Sequence, residues 1–159
     1  MKRMKKINLK NVDLIVYDFD GVMTDNKVLV TEDRKEAVFC HRGDGMAIAR
    51  IKEAGGKQII LSSEKNKVLE ARAQKLKVEA FYGVDDKRSF LAGYCKKKKH
   101  ALKKVVYIGN DLNDLDAMKM VGYPLAPYDA CAKVKTMAKV VFKAKGGEGV
   151  IREFLDKLV

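Results

Sequence analysis

An apolar run near the start of the chain ends in two carboxylates. In LIVYDFDGVMTD, Asp18 and Asp20 follow a short apolar stretch, and Gly21 comes directly behind them. The apolar stretch, residues 12–17, is typical of a strand that is buried on both faces. Two carboxylates at the end of such a strand repel each other unless a cation neutralises them. The pattern therefore indicates a charged partner and a chemical role for the pair.

Polar side chains also follow other predicted strands. The segment KQIIL is followed by Ser62, Ser63 and Glu64. EAFYG leads into Asp85, Asp86 and Lys87. KVVYIG is followed by Asn110, Asp111 and Asp114. Because the carboxyl ends of parallel strands share one crevice, we expect these groups to converge. Oxygen ligands suit Mg²⁺. A carboxylate nucleophile, a metal, a lysine and a hydroxyl are the groups that phosphoryl transfer requires, so we predict that reaction, with one aspartate attacking phosphorus and the other transferring protons.

Alternating strands and helices must position these groups. After a hairpin predicted at residues 27–39, the patterns predict strands at KQIIL, EAFYG, KVVYIG, YPLA and KVVF. Helices are predicted at DGMAIARIKEAGG, NKVLEARAQKLK, DKRSFLAGYCKKKKH, DLDAMKMVG, ACAKVKTMA and GEGVIREFLDKLV, with Asn66 as an N-cap. This alternation predicts an α/β fold, a three-layer doubly wound parallel sheet, in a single domain spanning residues 1–159.

Composition narrows the function classes. The 159 residues are 47% hydrophobic, as in globular proteins, and carry a net charge of +12. The lysines are spread along the chain without an interleaved aromatic stripe, so we expect an anionic small substrate and no nucleic-acid partner. The run KKKKH, residues 96–100, suits a helix C-terminus. No apolar stretch approaches the roughly 18 residues that span a bilayer, so we expect a cytoplasmic protein without a membrane partner.

Four motifs resemble those of one enzyme superfamily. DFDGVMTD resembles the first motif, DxDGxxTD, of the haloacid dehalogenase superfamily of phosphatases; LSS at 61–63 resembles the second, Lys87 the third and GNDLND at 109–114 the fourth. No cap domain interrupts them. The layout is similar, over residues 10–158, to the capless branch with a Rossmann-like fold. That branch includes 3-deoxy-D-manno-octulosonate 8-phosphate phosphatase, the sialic-acid-type 9-phosphate phosphatases and the phosphatase-like domain of some acylneuraminate cytidylyltransferases.

The resemblance implies a role for each matching residue. Asp18 would be the nucleophile that forms an aspartyl-phosphate, and Asp20 the general acid and then the general base. Ser62 and Lys87 would bind the transferring phosphoryl group. Mg²⁺ would be held by the Asp18 carboxylate, the Asp20 backbone carbonyl and a fourth-motif side chain, from the set Asn110, Asp111 and Asp114. Substrate contacts would come from Arg72 and from a loop that contains His41, Arg42, Gly43, Asp44 and Gly45.

Some of these assignments have simpler alternatives. Asp111 and Asp114 could instead be acids at a helix N-terminus, where the helix dipole favours them. His41 and Glu64 could be solvated loop side chains. The residue after the motif-four glycine is usually aspartate, and Asn110 replaces it here, so Mg²⁺ would bind more weakly or Asp111 would substitute.

Glu64 bears on the choice of substrate. The octulosonate branch typically has arginine at this position, whereas a carboxylate resembles the nonulosonate branch. We therefore expect a Mg²⁺-dependent phosphatase for a 3-deoxy-2-ulosonate 9-phosphate, with the eight-carbon 8-phosphate as the alternative. A non-catalytic oligomerisation domain is an alternative of another class; Asn110 would support it, and the intact Asp18, Asp20, Ser62 and Lys87 argue against it.

The hairpin suggests a quaternary structure. A capless site is open to water, and the segment 27–39 lies beside the first motif. In the resembled family such hairpins associate around a fourfold axis, and one subunit helps to close its neighbour's site. We therefore expect a homotetramer. The alternative is a monomer whose hairpin packs on its own sheet.

Overall fold

A parallel sheet forms the centre of the molecule. The computed structural model describes residues 6–159. Strands β1 (Leu14–Tyr17), β4 (Gln58–Leu61), β5 (Glu79–Phe81), β6 (Val105–Ile108), β7 (Tyr123–Ala126) and β8 (Val140–Val141) pair in the order β5-β4-β1-β6-β7-β8. Strands β2 (Leu29–Val30) and β3 (Glu36–Ala37) form a separate antiparallel hairpin.

The sheet reverses its direction of growth beside β1. The chain adds β4 and β5 on one side of β1 and then returns to add β6, β7 and β8 on the other. All four residues of β1 and all four of β6 are buried, which explains their uninterrupted apolar sequences. Such a reversal opens a crevice at the carboxyl ends of the strands, where ligands bind in open α/β sheets.

Helices cover both faces of the sheet. They are α1 (Arg42–Glu53), α2 (Lys67–Leu76), α3 (Lys87–Lys98), α4 (Leu115–Met118), α5 (Ala132–Met137) and α6 (Val150–Leu155). Alternate residues of β1 enter two separate cores: Ile15 and Tyr17 pack with α1 and α6, whereas Leu14 and Val16 pack with α3 and α4. This arrangement confirms the predicted three-layer fold. The side chain of Asn66 accepts a hydrogen bond from the Leu69 N–H (2.9 Å), so the predicted cap of α2 is also confirmed.

The hairpin leaves its apolar side chains in solvent. Its paired arms are only two residues each, shorter than the sequence predicted. Val28, Leu29 and Val30 are more than half exposed, and Phe39 is 81% exposed. The hairpin therefore does not bury these side chains against its own sheet. Over residues 6–159, no helix combines the length and the apolarity that crossing a membrane would require.

Candidate active site

The turn after β1 holds Asp18 at the base of the crevice. Asp18 is 4% exposed, and its backbone N–H donates to the carbonyl of Ile108 in β6 (2.9 Å). Gly21 has a φ of +83°. A Cβ at Gly21 would lie 2.0 Å from the Asn110 side chain, so only glycine allows both this backbone conformation and this approach. The Thr24 hydroxyl accepts from the Gly21 N–H (3.2 Å) and fixes the turn.

Lys87 is sealed between two carboxylates. It is the first residue of α3 and is 1% exposed. Its Nζ donates to Asp18 Oδ1 and to Asp114 Oδ1, both at 2.8 Å. A cation in the first turn of a helix opposes the helix dipole, so local helix preference does not account for this lysine. Its two charged partners do.

Asp114 positions other groups and does not fit the predicted role of metal ligand. Its Oδ1 accepts from Lys87 Nζ and from the Tyr107 hydroxyl, both at 2.8 Å. Its Oδ2 accepts from the backbone N–H groups of Asn110 (2.9 Å) and Asp111 (3.3 Å). A carboxylate offers about four acceptor sites, and these four donors use them. Asp114 therefore fixes the lysine and the loop after β6.

Asp111 has the role of a helix-terminal acid. Its side chain accepts from the Leu112 N–H (2.7 Å) and caps the short 3₁₀ turn Leu112–Asp114. It also lines the crevice, at an exposed position. Its contacts thus match the simpler of the two alternatives, although its carboxylate stays within the crevice.

Three polar groups meet at the floor of the crevice. The end of the Asn110 amide lies 2.9 Å from the carbonyl oxygen of Asp20 and 3.0 Å from Asp18 Oδ2. In one orientation the amide nitrogen donates to both oxygens; in the other the amide oxygen completes a triangle of oxygens. Neighbouring ligands of octahedral Mg²⁺, with bonds of about 2.1 Å, lie about 3.0 Å apart, and the two distances from the Asn110 amide match that spacing.

This donor set is mixed in character. Within residues 6–159, no group of three or more His, Cys, Asp or Glu side chains is arranged to hold a metal. The three groups that could hold Mg²⁺ are therefore the Asp18 carboxylate, the Asp20 backbone carbonyl and the Asn110 side-chain amide. This is one of the ligand sets that the family resemblance implies.

The crevice has a volume of about 380 Å³, and all of its lining residues except Leu112 have polar or charged side chains. Its lining consists of Asp18, Asp20, Asn26, Ser62, Ser63, Glu64, Asn110, Asp111, Leu112 and Asn113. Ser62 is buried at the end of β4, and its hydroxyl accepts from the Glu64 N–H (3.2 Å). The structure therefore brings together the predicted residues from the ends of β1, β4 and β6, and Lys87 reaches them from the start of α3.

Burial controls the protonation of this cluster. It raises the pKa of Asp18 to about 8; Asp114 contributes in the same direction, and Lys87 opposes the rise. Burial also raises the pKa of Asp20, with a further contribution from Glu64. Burial alone would lower the pKa of Lys87, but its two carboxylates together raise it. A carboxyl that holds its proton at higher pH, as Asp20 does, is suited to general acid catalysis.

The predicted substrate loop is not a loop. Arg42, Gly43, Asp44 and Gly45 form the first turn of α1, and His41 lies at its N-cap position. Asp44 is almost fully buried, and its Oδ1 accepts from the Arg152 N–H in α6 (2.9 Å). It therefore ties the start of α6 to α1 and does not line this crevice, so its substrate contact stays a prediction.

The other predicted substrate residues also pack away from this crevice. The guanidinium of Arg72 donates to the His41 carbonyl (3.3 Å). A Cβ at Gly43 would lie 2.9 Å from the His41 ring, and one at Gly45 would lie 3.1 Å from the Leu76 side chain. None of these residues, nor Arg42, belongs to the lining. The two glycines permit close packing at the start of α1.

Tyr107 is the main residue that the sequence reasoning missed. It lies in β6, is completely buried, and donates to the Asp114 carboxylate. The signal was a hydroxyl within the apolar run KVVYIG, because a buried tyrosine normally needs a hydrogen-bond partner. Asn26, Leu112 and Asn113 of the lining carried no comparable signal.

Known proteins resemble this chain along most of its length. A family model for haloacid dehalogenase-like hydrolases matches residues 1–154. The 3-deoxy-D-manno-octulosonate 8-phosphate phosphatase of Yersinia pestis is 30% identical over 150 residues, which are 94% of this chain and 80% of that protein.

Two solved structures show the same architecture. A haloacid dehalogenase family hydrolase of Streptomyces avermitilis is 40% identical and superposes with a TM-score of 0.93, covering 96% of this chain and 94% of that one. The 3-deoxy-D-manno-octulosonate 8-phosphate phosphatase of Moraxella catarrhalis, solved with a magnesium ion, a phosphate ion and a KDO molecule, is 26% identical with a TM-score of 0.89, covering 93% and 86%.

Proposed function

The chain belongs to the haloacid dehalogenase-like hydrolase family, and from that membership we propose that it is a Mg²⁺-dependent phosphatase for the terminal phosphate of a 3-deoxy-2-ulosonate sugar acid. One observation carries the proposal. A single carboxylate, Asp18, has one oxygen neutralised by Lys87 and the other 3.0 Å from the Asn110 amide, which also lies 2.9 Å from the Asp20 carbonyl oxygen. This is the arrangement that a nucleophile requires when it approaches an anionic phosphate.

The residues divide the reaction into two steps. Asp18 attacks phosphorus, an aspartyl-phosphate bond forms, and the bond from phosphorus to the sugar oxygen breaks as Asp20 donates its proton to that oxygen. Asp20 then accepts a proton from the water that hydrolyses the intermediate and releases phosphate. Ser62 and Lys87 donate hydrogen bonds to the transferring group. Asp18, the Asp20 carbonyl and Asn110 would hold Mg²⁺, which would neutralise charge that develops on the transferring group.

Two sugar acid phosphates, with eight or nine carbons, are candidates for the substrate. The named relatives of Yersinia pestis and Moraxella catarrhalis are phosphatases of an eight-carbon sugar acid phosphate. Glu64, which lines the crevice, favours a nine-carbon substrate, because a carboxylate can accept a hydrogen bond from the amide N–H that nine-carbon acids of the acylneuraminate type carry. We give preference to the nine-carbon 9-phosphate and retain the eight-carbon 8-phosphate as the alternative.

A phosphate-release assay tests both points. Wild-type protein is incubated with eight- and nine-carbon ulosonate phosphates, with Mg²⁺ and with a chelator, and Asp18→Asn serves as the inactive control. We expect release only with Mg²⁺ and faster with the nine-carbon ester. Folded wild-type protein that releases no phosphate from any ester would instead support the non-catalytic oligomerisation domain.

We also propose that the protein is a homotetramer. The exposed Val28, Leu29, Val30 and Phe39 lie on the hairpin or at its base, and association of four hairpins would bury them. Light scattering at micromolar concentration should give about four times the chain mass of 17.8 kDa. A mass equal to that of one chain would refute the tetramer.

A further inference from the structure

A second cleft lies between the hairpin and the start of α2. It has a volume of about 490 Å³. The hairpin contributes Arg34, Lys35 and Glu36, and the opposite wall is formed by Lys65, Asn66, Lys67 and Val68. We refer to it as the hairpin–α2 cleft. None of the roles assigned so far uses it.

Positive charge dominates the hairpin–α2 cleft. Four of its residues are cations, and Glu36 is the one carboxylate of its lining. Lys35 is paired with Asp33 at 2.7 Å. Among the described residues, no carboxylate lies within ion-pair distance of Arg34, Lys65 or Lys67. Like charges that face one space from two elements repel each other, and an anion between them would relieve the repulsion.

The hairpin–α2 cleft adjoins the catalytic crevice. Lys65 directly follows Glu64, which lines the crevice. Lys65 is three residues from Ser62, so its backbone lies at most about 11 Å from that of Ser62. On the opposite wall, the charge of Glu36 contributes to the raised pKa of Asp20. Both walls of the hairpin–α2 cleft therefore lie near the proposed catalytic carboxylates, Asp18 and Asp20.

We propose that the hairpin–α2 cleft binds the carboxylate at the far end of the substrate while the phosphate lies at Asp18. This inference rests on the proposed function, since only a substrate with two anionic ends needs two such places. Glu64, at the boundary, repels the acid group from the crevice and leaves the cationic cleft as its favourable position. The planar guanidinium of Arg34 is suited to a carboxylate, which it can bind through two parallel hydrogen bonds.

The test compares an acid substrate with its neutral analogue. The substrates are a ulosonate phosphate and the same ester with its carboxylate converted to a primary amide. Lys67→Glu and Arg34→Glu each reverse one charge of the cleft, and Lys97→Glu makes the same change at the exposed end of α3. Lys67 is not on the hairpin, so its variant separates substrate binding from any effect on subunit association.

We expect each cleft variant to raise KM for the acid by roughly five- to tenfold, with kcat unchanged. KM for the amide should move less than twofold, and Lys97→Glu should leave both values unchanged. Thermal unfolding of each variant confirms that it is folded, and Lys65→Ala gives a second, milder test. Equal effects on acid and amide, or none, would overturn the inference alone. Absence of turnover by wild type would overturn the proposed function and this inference with it.

Discussion

At the carboxyl edge of the sheet, Lys87 is buried between two carboxylates, whereas at the amino edge the lysines stand in solvent where helices end. Lys96, Lys97 and Lys98 occupy the last turn of α3, and Lys52 lies in the last turn of α1. Their charges stabilise the negative ends of the helix dipoles. The buried lysine opposes the dipole of its helix and is held by specific partners instead.

This difference distinguishes a lysine that is held by specific charged partners from lysines whose charges stand in solvent at helix ends. An exposed lysine at a helix end contributes only a few tenths of a kcal/mol and tolerates replacement. A buried lysine between two acids is a fixed element, because removal of any member leaves an uncompensated charge. The exposed lysines at helix ends and the buried Lys87 therefore contribute to the same net charge of +12 in physically different ways.

Asp18→Asn should produce the largest effect. An amide keeps the shape of the side chain but cannot form the aspartyl-phosphate, so kcat should fall by about four orders of magnitude or more. Lys97→Met, at the opposite edge, should leave turnover unchanged. Steady-state phosphate release measures both. A variant within tenfold of wild type would exclude Asp18 as the nucleophile.

Lys87→Met tests the contrast between the two edges through stability. Loss of the cation leaves Asp18 and Asp114 facing each other in a buried site, and we expect unfolding to become easier by about 3–5 kcal/mol. Lys97→Met should change the free energy of unfolding by less than about 0.5 kcal/mol. Urea denaturation compares the pair. Similar values for the two variants would contradict the distinction.

Glu64→Arg tests substrate choice at the carboxyl edge. Arginine would remove the hydrogen-bond acceptor for the amide N–H of a nine-carbon substrate, so the ratio of kcat/KM for the eight-carbon ester to that for the nine-carbon ester should rise by about one to two orders of magnitude. Glu70→Arg, an exposed reversal on α2, is the matched control. A change in this ratio below about threefold would show that Glu64 does not influence substrate choice. It would also remove the main support for a nine-carbon substrate.

Asn110→Asp tests whether the Asn110 side chain is a ligand of Mg²⁺. The substitution adds a formal charge to the oxygen triangle, so Mg²⁺ should bind about tenfold more tightly. Asn113→Asp adds the same charge to the crevice lining and should have a smaller effect. Isothermal titration calorimetry with Mg²⁺ measures both variants. Unchanged or weaker affinity in Asn110→Asp would show that this side chain is not a ligand.

Asp44→Asn should give the smallest effect, and it depends on pH. Burial raises the pKa of Asp44 in the folded state above its value in the unfolded chain. Its protonated form therefore stabilises the fold below the unfolded pKa, and that contribution is lost as pH rises through the folded pKa. Relative to wild type, the variant should gain stability at pH 8 compared with pH 4, with KM unchanged. The opposite trend in thermal unfolding would contradict this explanation.

The sequence predicted the fold and the strand-end residues because both depend on local patterns. Continuous apolar runs identified β1 and β6, and polar residues at strand ends followed from the parallel topology. Long-range contacts could not be predicted in the same way. The sequence offers Asp114 as a ligand, but only the fold shows that Lys87 and Tyr107 already donate to its Oδ1 and two backbone N–H groups to its Oδ2.

The start of α1 illustrates the same limit. The family resemblance implied a substrate loop at residues 41–45, and the two glycines of HRGDG are unfavourable in a helix. Packing overrides that preference, because the glycines allow close contact with His41 and Leu76, and Asp44 fixes α6. Tertiary contacts made by other helices are not visible in a local pattern.

The central position of β1 has a consequence for synthesis of the protein. Its pairing with β6 joins residues 14–17 to residues 105–108, and the bond between Asp18 and Lys87 spans 69 residues. A nascent chain that has not yet reached Val105 leaves one edge of β1 without a partner, and its four apolar residues can then pair with another chain. Catalytic competence and protection from aggregation therefore arise together, late in translation, when β6 inserts beside β1.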